Sequence, residues 1–347
     1  MKRTRTIRGL ALVSYTIKDI ALRAGVSKST VSRVISGKGF ASQEAREKVF
    51  KAMKELQYKP NALARAMVSQ RTNNIGVVVY HPHASIASHP FYGKMIDAIL
   101  HKAKNLNYSV FVATDEGKSL KSVDYMVEKR VDGFILISGL RQEVADYIDQ
   151  FHIPYVTVNT SVEKENVVQL VHHDFKGGTY IAEHLYQLGH RRVFVISGSQ
   201  ENHRLRLEGF RRRIRELGGE MAEEDVHVSS SSTFVDGYKG LSNIWNYFRS
   251  RKPTALFATN DMLAMGAMKF LLEKGISIPD DIAVAGFDDI DYSSVFHPSL
   301  TTVHIDQTKM GEDAVSWLDR LIKKEDVQKV KIEYEPTLVV RESTAKC

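Results

Sequence analysis

Four donor-bearing side chains near the N-terminus share one face of a predicted helix. At 100° per residue, the helix that follows Ser27 places Lys28, Ser29, Ser32 and Arg33 on one arc and β-branched apolar residues on the other. Ammonium, hydroxyl and guanidinium groups on an exposed arc can donate to the base edges and phosphates of a DNA major groove. The pattern predicts a nucleic-acid-binding helix, and the alternative is the solvated face of a small three-helix bundle.

The distribution of charge favours nucleic-acid binding. Residues 1–74 carry 16 of the 48 Lys and Arg residues but only 4 of the 41 Asp and Glu residues, a net charge of +12, so the rest of the chain has a net charge of −5. A basic head on an acidic body is typical of proteins that bind nucleic acids. Residues 1–15 are interpreted as a basic extension, either a disordered arm or sequence added by an upstream start site.

Three short helices must position the donor-bearing face. Thr16 and Asp19 have the spacing of a capping box, and an apolar helical face follows them. Gly25 ends this first helix, a serine caps the second, and a third helix begins near Ser42. Two short helices joined by a tight glycine-containing turn, with a third packed across them, predict a helix-turn-helix domain over residues 16–60.

The sequence contains no motif of a catalytic, metal or cofactor site. It lacks a GxSxG elbow, a Walker A loop and an HExxH pair. His172-His173-Asp174 could suggest metal ligands, but no second cluster has zinc spacing, so a hydrogen-bonding position in a cleft or plain surface is favoured. The only cysteine, Cys347, excludes an intramolecular disulfide and fits a reducing compartment. No apolar run approaches the roughly 18 residues of a membrane span. We expect a cytoplasmic binding protein with no catalytic residue, metal, cofactor or membrane partner.

From Asn74 onward, short apolar runs alternate with helical patterns. Strands are predicted at residues 75–80, 109–113, 133–137, 156–158, 193–196, 255–258 and 282–286. Buried strands that alternate with helices indicate parallel sheets covered on both faces. Because there are too many units for one core, the sequence predicts two doubly wound parallel-sheet lobes, which divide near residue 160 and exchange strands late in the chain.

The N-terminal motifs resemble a known family. Residues 16–21 (TIKDIA) and 25–34 (GVSKSTVSRV) resemble the signature of the LacI/GalR family of bacterial repressors, and residues 58–67 (YKPNALARAM) resemble its hinge. The resemblance implies that Lys28, Ser29 and Arg33 read base edges. It also implies that residues 61–67 form a short helix only when two copies meet in the minor groove. The DNA-binding residues expected from it are Thr16, Lys28, Ser29, Thr30, Ser32, Arg33, Asn61, Ala64 and Met67.

The physical chemistry of the hinge agrees with this expectation. A seven-residue helix is marginal alone in water, so its formation can depend on DNA and a partner chain. Met67 stands where the family usually inserts a leucine into the minor groove, and methionine is also apolar and can wedge a base step. The alternative is a plain interdomain linker over residues 61–73.

The rest of the chain resembles the family's effector domain, which is related to periplasmic sugar-binding proteins. Together with the N-terminal motifs, the matches to the family cover residues 16–340. Segments 89–92 and 127–133 also resemble maltose-type regulators. The resemblance implies an effector, a small molecule that controls DNA affinity. The implied effector-binding residues are Phe91, Tyr92, Asn159, Asp174, Arg206, Asn260 and Asp288. Arginine, amide and carboxylate groups suit paired sugar hydroxyls, and aromatic rings suit sugar C–H faces. For each residue the alternative is a surface ion pair or a helix cap, and a phosphorylated sugar or nucleobase stays open as effector. Phe175 replaces the family's usual asparagine.

Together these patterns predict a sequence-specific DNA-binding regulator, a repressor, controlled by a sugar bound between two lobes. We expect a helix-turn-helix domain, a hinge, a two-lobed effector and dimerisation domain over residues 74–340, and a tail over residues 341–347. The expected partners are a near-palindromic double-stranded operator, a small-molecule effector and a second copy of the chain. Alternatives are a DNA-binding regulator controlled by a partner protein and, from a different class, a sugar-binding transport receptor.

Overall fold

The computed structural model describes residues 4–7, 10–13, 15–36, 39–58, 71–80, 86, 89–115, 119–160, 162–164, 167–327 and 330–344. The chain divides into two compact units, Met1–Asn73 and Asn74–Cys347. No helix in the described parts of the chain is long and apolar enough to cross a membrane.

The first unit contains the three predicted helices. They are α1 (Ile17–Ala24), α2 (Lys28–Ser36) and α3 (Gln43–Glu55), packed around a core that includes Ile20, Val31 and Val49. The capping box is confirmed, because the Asp19 carboxylate accepts from the Thr16 backbone N–H at 2.7 Å. Gly25 ends α1 in the left-handed conformation, at φ 67°, as a residue without a Cβ can.

The N-terminal extension differs from the prediction. The expectation of a disordered arm is wrong, because β1 (Thr4–Ile7) pairs with β2 (Leu10–Val13) in antiparallel register. The threonines and isoleucine of β1 and the valine of β2 favour strands, and pairing satisfies backbone donors and acceptors of both segments.

The second unit begins with a six-stranded sheet in the order β13-β7-β6-β5-β3-β4, in which every neighbouring pair is parallel. The strands are β3 (Asn74–Tyr80), β4 (Ser109–Asp115), β5 (Gly133–Ile137), β6 (Tyr155–Val158), β7 (Val168–His172) and β13 (Lys331–Tyr334). The helices of this first lobe are α4 (Pro90–Asn105), α5 (Lys121–Glu128), α6 (Gln142–Asp149) and α13 (Gln307–Ile322).

The second lobe is built on a four-stranded parallel sheet in the order β11-β10-β8-β9. The strands are β8 (Val193–Gly198), β9 (Val226–Ser229), β10 (Ala255–Ala258) and β11 (Ala283–Ala285). Its helices are α7 (Asp174–Gln187), α8 (Glu201–Glu216), α9 (Phe234–Asn243), α10 (Trp245–Arg251), α11 (Asp261–Glu273) and α12 (Tyr292–Val295), with a 3₁₀ turn at Glu223–Asp225. The two parallel sheets and the helical first unit confirm the predicted fold class.

The chain passes between the lobes more than once. It leaves the first sheet after β7, and it returns late to add β13 to that sheet, which confirms the predicted strand exchange. Two strands near the crossings, β12 (Thr302–His304) and β14 (Thr337–Val339), pair antiparallel.

The predicted division near residue 160 is wrong, because β7 adds a further strand to the first sheet beyond it. Because Gln169 interrupts the apolar run of β7, the hydrophobic pattern of the sequence did not predict this strand. The structure buries Gln169 and pairs its side-chain amide with the backbone of Val162, which removes the cost of burying a polar group.

Candidate functional site

The donor-bearing face predicted on α2 is present. Lys28, Ser29 and Arg33 are exposed, whereas the opposite face of α2 is buried in the core of the first unit. The Ser27 hydroxyl caps the helix by accepting from the Thr30 backbone N–H at 3.1 Å. A cation and hydroxyls therefore surround the positive N-terminal end of α2, an arrangement that suits phosphate and base-edge acceptors.

The other predicted DNA-binding residues differ in setting. Thr16 is exposed, and its hydroxyl donates to the Asp19 carboxylate at 2.8 Å. Ser32 is half-buried beside the exposed arc. Asn61, Ala64 and Met67, together with the rest of the predicted hinge helix, lie outside the described residues.

In the second unit, Arg206 is the centre of a buried polar cluster. Its side chain is 2% exposed, and α8 carries it to the ends of the strands. Its Nε donates to Asp174 Oδ1 at 2.6 Å, and its Nη1 lies 2.9 Å from Asp288 Oδ1 and donates to the Thr259 carbonyl oxygen at 2.8 Å. The guanidinium lies 3.9 Å from the centre of the Phe287 ring. One arginine thus holds together the start of α7 and the ends of β10 and β11.

His172, the last residue of β7, joins this cluster from the first sheet. Its Nε2 lies 2.9 Å from Asp174 Oδ1 and 3.3 Å from Arg206 Nη2. Its Nδ1 is buried and has no partner in the described structure. The cluster therefore contains side chains from both lobes.

The two carboxylates of the cluster have opposite pKa shifts. Burial would raise the pKa of Asp174, but the charges and hydrogen bonds of His172 and Arg206 hold it at about 2. Burial raises the pKa of Asp288 to about 6, which the nearby charge of Asp174 reinforces and Arg206 only partly offsets. Two buried carboxylates thus compete for one guanidinium, and displaced pKa values of this kind are common at binding sites.

An aromatic wall from α4 lies beside the cluster. The Phe91 and Tyr92 rings meet edge to face at 5.4 Å, and the Phe91 ring lies 6.4 Å from the His172 ring. The Tyr92 hydroxyl lies 2.9 Å from the Ser138 hydroxyl. Burial raises the pKa of Tyr92 to about 12, and Asp288 is close enough to contribute. Aromatic rings beside a polar cluster form the two surfaces that a sugar requires.

The two asparagines differ from the other predicted effector-binding residues. Asn260 caps α11, accepting from the Leu263 backbone N–H at 2.8 Å and donating to the Ser232 carbonyl oxygen at 3.0 Å. The helix-cap alternative therefore describes much of what Asn260 does. Asn159 follows β6 in a left-handed conformation, at φ 54°, and its Oδ1 is buried without a described partner.

The structure brings Asp174, Arg206 and Asp288 into direct contact and places Phe91 and Tyr92 beside them. Sequence reasoning did not assign His172 to this site, although it singled out the His172-His173-Asp174 run. It also missed Gln307, whose Nε2 donates to the Asp288 carbonyl oxygen at 2.7 Å. A glutamine at the start of a helix carries no pattern that distinguishes it, so no signal in one sequence could have found it. Within the described residues, no group of acidic, histidine or cysteine side chains could hold a metal ion.

Comparisons with known proteins agree with both units. Residues 16–61 match the model for bacterial regulatory proteins of the lacI family, and residues 182–344 match the periplasmic binding protein-like domain. The HTH-type transcriptional repressor PurR of Haemophilus influenzae is 32% identical over 94% of this chain and 98% of its own length. The PurR of Mannheimia succiniciproducens is 31% identical over 95% of this chain and 99% of its own.

Solved structures extend the likeness to three dimensions. A Lac repressor dimer bound to operator and the anti-inducer ONPF superposes with a TM-score of 0.83, at 28% identity over 96% of this chain and 100% of that chain. A complex of the transcriptional regulator CelR with cellobiose gives a TM-score of 0.70, at 28% identity over 95% of this chain and 99% of that one. Because the similarity to repressors spans both units, the protein belongs to the lacI family of bacterial regulatory proteins and is a DNA-binding transcriptional repressor with an effector-binding domain.

Proposed function

We propose that this repressor is controlled by a sugar bound at the Arg206 cluster. The observation that carries the proposal is the buried Arg206, which ties Asp174 and Asp288 together at the strand ends of the second lobe, beside His172 of the first. Ligands of open parallel sheets bind outside the carboxyl ends of the strands. Carboxylates, a guanidinium and the Phe91 ring match the hydroxyls and C–H face of a pyranose or furanose. The cellobiose complex of CelR supports the sugar assignment.

We propose that Phe91, Tyr92, Asn159, Asp174, Arg206, Asn260 and Asp288 form the effector site, and that the protein acts in the cytoplasm without catalysing a reaction. Lys28, Ser29 and Arg33 are proposed to read base edges, with Thr16, Thr30 and Ser32 making supporting contacts. In the hinge, Asn61 and Ala64 are proposed to bind DNA at the minor groove, and Met67 is proposed to wedge a base step.

The same proposal explains how effector binding could change the affinity of the protein for its operator. Effector binding changes the separation of the two lobes and so the distance between the hinge segments of two chains. When the segments separate they lose their mutual packing, and Met67 leaves the minor groove. Coupling of this kind typically amounts to about 1–3 kcal/mol between the two ligands.

The proposed assembly is a homodimer on a near-palindromic operator. An apolar surface groove of about 270 Å³ on the second lobe supports it. The groove is lined by Phe234, Met262, Met265, Tyr292, Val295 and Phe296. Val295 is 76% exposed and Tyr292 59%, although apolar side chains of this size are usually covered. A second copy of the chain is the proposed cover, and the related Lac repressor is itself a dimer.

The test begins with selection of an operator from a random pool of duplex DNA by the purified protein. A thermal-shift panel then presents ribose, glucose, maltose and cellobiose, with their available phosphate esters and with free purine bases. A sugar that stabilises the wild-type protein should change its operator affinity. The Arg206→Ala variant should lose that response and keep nearly all of its affinity for the operator in the absence of sugar.

Two outcomes would contradict the placement of the site. One is an Arg206→Ala protein with a full sugar response, and the other is a folded Arg206→Ala protein that no longer binds the operator. A wild-type protein that binds the operator but responds to no compound in the panel would favour control by a partner protein.

A further inference from the structure

We propose that Phe40, in the turn between α2 and α3, is a specificity-determining residue for the operator. Its ring packs against the C5-methyl group of a thymine next to the base that Arg33 contacts. This inference rests on the proposed docking of α2 in a major groove. It goes beyond that docking, because it adds an apolar contact, from a residue outside α2, to the hydrogen bonds of the donor-bearing face.

The first argument is the exposure of the Phe40 ring. Phe40 is 86% exposed, whereas the next residue, Ala41, packs against the core of the first unit. Phenylalanine is one of the residue types most often buried in folded proteins. The ring therefore offers a large apolar surface that a ligand can cover, and covering it is favourable because apolar area is removed from water.

The second argument is the position of the turn that carries Phe40. Gly39 has the left-handed conformation, at φ 83°, which a residue without a Cβ adopts readily. A Cβ added to Gly39 would lie 3.3 Å from Arg33 Cδ, so the turn lies directly against the aliphatic stem of Arg33. On the other side of Phe40, the Ala41 carbonyl oxygen accepts from Arg46 Nε at 3.3 Å. The backbone of Phe40 is thus held between α2 and α3, and little of its freedom is lost on binding.

The third argument concerns the partner that covers the ring. Arg33 is exposed on the donor-bearing face of α2, and residues 1–74 carry 16 Lys and Arg residues against 4 Asp and Glu residues. A surface of this charge attracts the phosphate backbone of DNA. Because the turn of Phe40 lies against the stem of Arg33, a duplex that Arg33 contacts also lies beside the Phe40 ring. The chemistry of the neighbouring residue therefore selects DNA as the partner.

The chemistry of the major groove selects thymine among the bases. The edges of guanine, cytosine and adenine present hydrogen-bond donors and acceptors there, whereas thymine also presents its C5-methyl group. A phenylalanine ring placed over a donor or acceptor would displace water without replacing its hydrogen bond, which is unfavourable. Against the methyl group the ring instead buries two apolar surfaces. Phe40 therefore favours a thymine at the position that it covers.

The test is a double-mutant cycle between the protein and its operator. Selection from a random duplex pool by Arg33→Ala identifies the base that Arg33 reads, because preference there is relaxed. The wild-type operator should have a thymine within two base pairs of that position in each half-site. Replacing this thymine with deoxyuracil removes only the methyl group. The replacement should weaken wild-type binding about fourfold per half-site, since burial of one such carbon contributes about 0.8 kcal/mol. It should have no effect on the binding of Phe40→Ala.

The matched control is Leu22→Ala. Leu22 is also 86% exposed, but it lies on α1, next to Arg23, whose guanidinium pairs with Glu55 of α3 at 2.6 Å. This variant should keep the fourfold loss on deoxyuracil operator. Salt dependence gives a second readout, because a lost phosphate contact lowers the slope of log affinity against log salt by about 0.9. The slope for Phe40→Ala should equal that of the wild-type protein.

Three outcomes would overturn the inference. They are equal losses on deoxyuracil operator for the wild-type protein and Phe40→Ala, a selected operator without a thymine at the expected position, and a lower salt slope in Phe40→Ala. Each of these leaves the docking of α2 intact as long as Arg33→Ala relaxes the selected sequence. If Arg33→Ala selects the same operator as the wild-type protein, the docking of α2 fails, and the role of Phe40 fails with it.

Discussion

Arg33 is the side chain of α2 best suited to recognise one base, because a guanidinium can donate two parallel hydrogen bonds to guanine. Arg33→Ala should therefore reduce affinity for the selected operator by about 1–3 kcal/mol. Affinity for random duplex DNA at low salt should fall less. Lys51→Ala, an exposed cation on α3, is the control and should change both affinities alike. Equal losses on operator and random DNA in Arg33→Ala would make Arg33 a phosphate contact.

Asp261 gives a pH dependence of stability. Its carboxylate is fully buried and accepts from Thr302, Ser293 and the Ile290 backbone N–H, at 2.5, 2.7 and 3.0 Å. Burial, reinforced by the charge of Asp288, raises the pKa of Asp261 to about 7. Between about pH 4 and pH 7 the folded protein therefore holds a proton that the unfolded chain has released. The contribution of Asp261 to the free energy of unfolding is largest below pH 4 and is lost as the pH rises to 7.

Asp261→Asn should remove this dependence, because an amide stays neutral and a threonine hydroxyl can turn to accept from it. The variant should match the wild-type protein in urea unfolding near pH 4 and exceed it at pH 8, by an amount on the order of a few kcal/mol. A constant difference between the two proteins from pH 4 to pH 8 would show that Asp261 is ionised throughout.

Among the site residues, the sequence alone predicts only those groups whose members lie on a single helix or strand. The arc of α2 could be read from residue spacing, because its members are neighbours on a single helix. Asp174 lies 32 residues before Arg206, and Gln307 reaches Asp288 from the other lobe. Because no sequence periodicity links such residues, Asp174, Arg206 and Asp288 could be predicted only through the family resemblance. His172 and Gln307 could be assigned to the cluster only from the three-dimensional structure.

At the scale of elements, the crossing of α7 and α8 positions Arg206. A Cβ added to Gly178 of α7 would overlap the Arg206 carbonyl oxygen, and one added to Gly209 of α8 would overlap that of Phe175. The two backbones can approach this closely only because both positions are glycine. The helix pair thus sets the place of the guanidinium as well as the packing of the lobe.

Gly209→Ala should separate α7 from α8, because the atoms it meets are backbone and cannot rotate away. We expect a loss of at least about 2 kcal/mol in the free energy of unfolding, as for an overpacked core. Sugar affinity should fall as well, since Arg206 moves with its helix. Glu208→Ala, at the adjacent exposed position, should be nearly neutral. Wild-type stability in Gly209→Ala would show that the crossing relaxes without cost.

The elements themselves were mostly predictable, and the exceptions have physical causes. Buried parallel strands such as β5 and β10 are continuous apolar runs, which the pattern detects directly. The helix α8 begins at Glu201, and because its first turns are polar, no apolar pattern in the sequence marks its start. This puts Arg206 inside α8 and not at its start.

At the scale of the molecule, contacts between the lobes converge on the segment after β11. Asp288 pairs with Arg206 inside the second lobe, and its carbonyl oxygen accepts from Gln307 of the first lobe. Three residues later, Asp291 pairs with Lys94 of α4 at 2.9 Å. The same segment leads into α12, which carries Val295 of the apolar groove. A ligand that moves Asp288 therefore acts on the contacts between the lobes and on the proposed dimer surface together.

The dimer surface can be tested at this scale. Val295→Glu places a charge in the groove, so the pairing of two copies should become unfavourable. Wild-type protein should have a mass in light scattering of twice the 39.2 kDa chain at micromolar concentration, and the variant should have the mass of one chain. Operator affinity should fall by at least a hundredfold. A dimer bound to one half-site presents its second DNA-binding domain to the other half-site at a high effective concentration, which a monomer lacks.

The matched control is Val228→Glu, at a valine of the same lobe that is 55% exposed on β9 and is not part of the groove lining. It should leave the mass, the operator affinity and the melting temperature unchanged. A Val295→Glu protein that remains dimeric would place the interface elsewhere. A wild-type protein that is monomeric yet binds a palindromic operator with full affinity would remove the dimer from the mechanism, and with it the dependence of the switch on two converging hinge segments.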